Sequence, residues 1–252
     1  MSRVMVSCSI GQGESSDFNG YLEQHQLSIA CANLTLDHLG EEIGIWHRHI
    51  DDLRAALGGR DALQVDEAIP GHQRFALHLE AGALSTAKAA LDCCLGGLYV
   101  QGSLLTRHLF ETWQAIAYTF LDPQGAQGWL SPTGTVTTPP DPATVRRALL
   151  DSSEYRSWAV QVEKAIGVLD RQVHPVHGTA SGGAIALGGV FDAIRAREAI
   201  RFAVIAQMLI LQEHRHHLPH ERAWIKRHFA TLMAMKERFP ELRITVEGRE
   251  RE

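Results

Sequence analysis

Leu22, Ile29, Leu36, Ile43, Ile50 and Leu57 recur at every seventh position of the chain. Three places after each of the first five stand His25, Ala32, Leu39, Trp46 and Leu53. A seven-residue recurrence lays one apolar seam along a helix face; a strand, alternating every second residue, cannot present it. The spacing predicts one long helix over residues 19–57, closed by Gly58-Gly59, since glycine accepts the left-handed conformation that ends helices.

A second apolar row runs through Leu77, Leu84, Leu91, Leu98 and Leu105, with Leu95, Leu109 and Ile116 beside it. Pro70 suits the first turn of this helix and Pro123 lies past its end. Unbroken it would run about 75 Å at 1.5 Å per residue, so Gly96-Gly97 and Gly102 are the expected places for a break or kink. Small residues nearby (Ala87, Ala89, Ala90, Ser103) would admit another helix closely.

Residues 122–140, rich in Gly, Pro and Thr, read as loop, and Asp141-Pro142 as N-cap and first helical residue. Beyond a break at Ser152-Ser153, Tyr155, Trp158, Ala159, Val162, Ala165, Ile166 and Leu169 mark one helical face that Pro175 ends. Residues 176–190 read as irregular, and a helix is expected from about Phe191 to His217. Its stretch from Phe202 to Leu211 is apolar nearly all round, which places it at the centre of the core. A last helix opens at Pro219 with Ile225, Phe229, Leu232 and Met233 facing inward, and Leu242 to Val246 of the charged tail could be extended. The expected architecture is all-α: a single-domain helical bundle with long antiparallel helices over residues 19–240, a flexible N-terminus (1–18) and a charged tail (241–252). Leu36, Ile43, Leu91, Leu98, Ile205 and Leu209 are expected to be buried.

Composition narrows the function classes. Among 252 residues, 45% hydrophobic and 21% charged content is that of a globular protein, and a net charge of -5 argues against whole-surface affinity for nucleic acid or anionic membrane. MSRVMVSCSI lacks the apolar run of a secretory signal, and no stretch is long enough to span a bilayer. The four cysteines have no CxxC spacing, and adjacent Cys93 and Cys94 read as small buried hydrophobes. A cytoplasmic protein with no membrane association is expected.

The candidate chemistry is sparse. In Arg171-Gln172-Val173-His174-Pro175-Val176-His177 a fixed cation stands near imidazoles able to move protons at neutral pH. That combination suits RNA cleavage, with Arg171 stabilising phosphorane charge and a histidine as general acid or base. The plainer reading has Arg171 capping its helix and His174 and His177 shaping a turn about Pro175. Arg107 and Glu111, one helical turn apart, can form an ion pair within or at the edge of the core.

Fourteen histidines raise the question of a metal. A di-iron bundle needs two Glu-x-x-His pairs, and only Glu213-His214-Arg215-His216 fits. His214, His216, His217 and His220 gather at a helix end, where a solvated surface complementing the helix dipole is the plain expectation. Glu42 and His49 with Asp170, His174 and His177 form a thinner candidate. Neither set makes a complete site, so no metal and no cofactor is expected. The glycines between Gly178 and Gly189 could hold an anion before a helix, but they lack the Lys-Ser/Thr of a P-loop. No nucleophile elbow, zincin motif or dinucleotide fingerprint occurs.

The run LLTRHLFETWQAIAYTFLDP resembles the Arg-x-x-x-Glu-Thr helix of an uncharacterised group of bacterial helical proteins, and YRSWAVQVEKAIGVLDRQVHPVHG resembles that group's His-Pro segment. The likeness covers roughly residues 75–215. The group is loosely similar to the HEPN-like superfamily, whose RNase members carry an Arg and a His at a helical dimer interface. This resemblance implies Arg171 and His177 as catalytic residues and adds Arg107, Glu111 and His174. Pro175 falls between the Arg and the His, whereas the superfamily's motif rests on helix. The resemblance implies a homodimer of bacterial regulation or defence, either an interaction module or a metal-independent RNase with RNA as partner. The alternative is a metal-dependent helical-bundle enzyme using histidines and carboxylates.

Overall fold

The computed structural model describes residues 16–57, 70–127, 141–173, 191–216, 230–231, 233–234 and 237–238. Among these the fold is all-α: α1 (Ser16–Ala56), α2 (Gly71–Leu95), α3 (Tyr99–Leu121), α4 (Pro123–Gln127), α5 (Pro142–Asp151), α6 (Arg156–Val173) and α7 (Ala193–Glu213), followed by a 3₁₀ turn, His214–His216. No helix among the described residues is long and apolar enough to cross a membrane.

The long first helix forms, but its seam does not stay on one side. Leu39, at φ -132 and ψ 23, leaves helical geometry, just before Gly40, a residue that weakens helices. Beyond this kink the row packs inward, with Leu39, Ile43, Trp46, Ile50 and Leu57 all buried. Before it, Leu22, Ile29 and Leu36 are 37%, 50% and 46% exposed. There the inward face is Cys31 and Thr35 instead. The expected burial of Leu36 is therefore corrected. Ile43→Ala should cost about 2–5 kcal/mol, whereas Leu36→Ala should stay within about 0.5, a contrast read by urea denaturation of the two variants.

Helices α2 and α3 break where the glycines predict. Gly97 takes a left-handed φ of 75°, and the amides of Gly96, Gly97 and Leu98 donate back to carbonyls of Asp92, Cys94 and Cys93, which closes α2. Gly102 does not kink its helix. A β-carbon there would lie 2.8 Å from Cys94 Sγ, so its absence lets α3 approach α2 closely. Leu98, expected in the core, becomes the half-buried N-cap of α3. Cys31 and Cys94 are buried free thiols, and burial pushes the Cys94 thiol up to about 12, leaving it protonated and inert.

Local caps set the next two helices. Asp141 accepts hydrogen bonds from the amides of Ala143 and Thr144, with Pro142 in the first turn. Ser152, one residue past the end of α5, accepts at Oγ from the amides of Glu154 and Tyr155 just before α6 begins at Arg156. The expected face of α6 points inward, from Tyr155 through Ala159, Val162 and Ile166 to Leu169. Glu163 on this helix accepts from Gln114 at 2.8 Å and pairs with Arg146 at 2.9 Å, joining α3, α5 and α6.

Helix α7 is buried nearly all round from Phe202 to Leu211, with Ile205 only half-buried against the core. Asp192 caps it through the amides of Ile194 and Arg195, and the Asp192 amide donates to Tyr99 Oη at 3.3 Å, anchoring it to α3. Of the last expected helix, Ile225, Phe229 and Leu232 lie outside the described residues. Met233 is 39% exposed rather than inward, and Ala234 packs against the core instead.

Candidate functional site

Two polar clusters stand out, one at a surface junction and one sealed in the bundle. The first joins α3 to α6. Arg107 Nη2 lies 3.2 Å from Glu111 Oε1, the pair expected from their one-turn spacing. Arg107 Nε lies 3.0 Å from Asp170 Oδ1 near the end of α6. His108 Nδ1 stands 3.9 Å from Glu111 Oε2. Arg107, Glu111 and Asp170 are all roughly half exposed, so this is a pair at the edge of the core. Screening by water limits each such contact to about 0–1 kcal/mol.

Arg171 follows Asp170 in the last turn of α6 and is exposed. Two distant stretches therefore meet: the Arg-x-x-x-Glu-Thr helix and the root of the Arg-to-His segment. His174 and His177 lie outside the described residues, as do the glycines from Gly178 to Gly189.

The second cluster occupies the end of α7. His214 Nδ1 lies 2.6 Å from Glu80 Oε2 on α2, with side chains 1% and 0% exposed. A bond this short is that of a charge-assisted pair. Its neighbour Glu213, 2% exposed, accepts from Trp113 Nε1 at 3.3 Å and from Tyr155 Oη at 3.0 Å. His216 Nε2 stands 3.4 Å from the same carboxylate, and its ring stacks on Phe120 at 4.4 Å. Burial, then the Glu213 carboxylate, raises the Tyr155 phenol well above its usual value, so Tyr155 remains a donor. Two buried carboxylates thus fasten the start of α6 and the end of α7 to the bodies of α2 and α3.

For His214 this corrects the expectation of a solvated histidine surface; His217 and His220 lie outside the described residues. His214 is not there to complement a helix dipole; it turns inward because Glu80 offers the partner that burial demands. Of the candidate metal sets, His174, His177, His217 and His220 lie outside the described residues, and among the described residues no three His, Cys, Asp or Glu side chains converge as ligands. Glu42 stands 3.9 Å from Arg197 while Asp170 is held by Arg107, so members of the thinner set are engaged by different arginines. The residues that sequence reasoning missed are Glu80, Tyr155 and Trp113. Glu80 gives only a faint signal, a lone carboxylate in the small-residue, apolar stretch HLEAGAL.

Chemically, the buried cluster can hold its helices together. The junction holds α3 against α6, with Arg171 exposed beside it in the last turn of α6. No family model, curated protein or solved structure matches this chain.

Proposed function

We propose that the chain is a HEPN-like helical protein of bacterial regulation or defence that works as an interaction module. One observation carries this reading: the Arg107 guanidinium is shared between Glu111 and Asp170. Stabilising a phosphorane calls for positive charge aimed at the phosphate and not already neutralised. Here Arg107 faces two carboxylates and has no charge to add to that of Arg171, and the overall charge of -5 adds no attraction for a phosphate backbone. Such a junction holds helices in place more readily than it gathers RNA.

A metal-independent RNase is the second reading, and the Arg107–Asp170 contact is what favours it. That contact ties the first motif helix to the last turn of α6, which carries Arg171. Arg171 would then supply charge to the transition state, and His174 or His177 would move the proton.

The two readings part in one experiment. Wild type, Arg171→Ala and His177→Ala are incubated with a panel of single-stranded and structured RNAs in the presence of EDTA. The interaction module leaves all RNAs intact in all three samples. Cleavage by wild type that disappears in both variants, with helical content and thermal midpoint preserved, overturns it in favour of the nuclease.

A further inference from the structure

Gln207 on α7 and Thr106 on α3 lie inside the bundle, each 1% exposed. Neither the amide oxygen nor the amide nitrogen of Gln207 has a hydrogen-bond partner among the described residues, and nor does the Thr106 hydroxyl. Other buried helical threonines behave differently: Thr35 and Thr112 each donate at 2.8 Å to the carbonyl four residues back. A buried amide or hydroxyl left unmatched is costly, because folding strips its water and returns nothing.

Both side chains stand opposite one stripe of α2. Ala83, Ala87 and Ala90 recur at helical spacing along a buried face. Glu80, on that face two turns before Ala87, meets His214, and Gln207 stands two turns before His214 on its own helix. Phe120 packs on His72 and Gly102 sits against Ala90, so numbers rise along α2 as they fall along α3. Tyr99 meets Asp192 and Trp113 meets Glu213, so α3 and α7 share a direction that α2 opposes. Two turns from the Glu80–His214 contact, Gln207 therefore comes near the level of Ala87. Thr106, one turn beyond Gly102, comes near the level of the same alanine. There α2 presents only a methyl group, which takes little room and forms no hydrogen bond.

We propose that this layer is a binding site for ordered water, held between the Gln207 amide and the Thr106 hydroxyl opposite Ala87. Water both donates and accepts, so it can match the amide oxygen, the amide nitrogen and the hydroxyl alike. An internal water makes about three hydrogen bonds, and three side-chain atoms await one here. Gln207 and Thr106 are uncharged, so they favour a neutral guest over an ion. The bridge also sets how α7 lies along α3. A slip of one turn, about 5.4 Å, on either helix would part the two groups. The same two helices carry Trp113 and Glu213, whose hydrogen bond needs that register.

Nuclear magnetic resonance of the full chain reads this contact directly. Cross-relaxation between water and the Gln207 side-chain amide should carry the sign of a molecule that stays bound while the protein tumbles. Stability gives a second reading. Gln207→Leu and Thr106→Val each remove one side of the bridge, so the double variant should lower the thermal midpoint no further than the worse single variant. A wild type with no water signal at the Gln207 amide overturns the proposal, whether or not the variants fold. Thermal shifts that add in the double variant overturn it too, because the two groups then act apart. So does a Gln207→Leu protein more stable than wild type, which would mean that the amide had gone unmatched. An organic molecule released from wild type on unfolding, absent from Thr106→Val and detected by mass spectrometry, overturns water as the occupant. None of these results bears on the RNA assay.

Discussion

Glu80→Ala is expected to destabilise the protein by about 3–5 kcal/mol, because it strands His214 in the interior without its carboxylate. Both side chains are essentially inaccessible to water, so solvent cannot replace the lost partner. Replacing the pair together, as Glu80→Leu with His214→Leu, should recover most of that loss, since neither buried charge nor unmatched acceptor remains. Urea denaturation of the two single variants and the double variant measures this as a coupling energy. A Glu80→Ala cost below about 1 kcal/mol would contradict a dry, mutually dependent pair.

Trp113→Ala should cost a similar amount, about 3–5 kcal/mol, for a different reason. The indole is fully buried, and its removal opens a cavity beneath Tyr155, whose ring lies 6.5 Å away, edge-on. It also strips one donor from Glu213, which keeps Tyr155. Trp113→Phe separates the two effects: the ring volume largely survives, and only the hydrogen bond to the carboxylate goes, at about 1–3 kcal/mol. Should both substitutions cost the same in thermal or chemical denaturation, packing around the indole contributes little, and the buried carboxylate alone governs this end of the bundle.

Much of the candidate surface junction was legible from spacing. Arg107 and Glu111 stand one turn apart, and a helix imposes their contact whatever surrounds it. Asp170 was visible only as part of a metal set, because its real partner, Arg107, comes from another helix. The buried cluster was less legible still. Glu80 and His214 are 134 residues apart, and each taken alone resembles a solvent-facing side chain. Pairing across helices is decided by packing, which no local pattern encodes.

The sequence by itself determined the elements apart from α4, a short helix over Pro123–Gln127 within residues read as loop. Apolar spacing dictates helices, Gly97 stops α2, and Asp141 and Ser152 start α5 and α6. These are local effects, settled within a turn or two of backbone. It also determined that Phe202 to Leu211 is central, since a segment apolar on every side has no surface to give to water. The tertiary structure alone decided which side of each row is covered. Leu22 to Leu57 is one uninterrupted heptad row in sequence, yet its members before Leu39 face outward and those beyond it are buried. Periodicity states that a face must be covered but not by what, because burial depends on where the neighbouring helices lie.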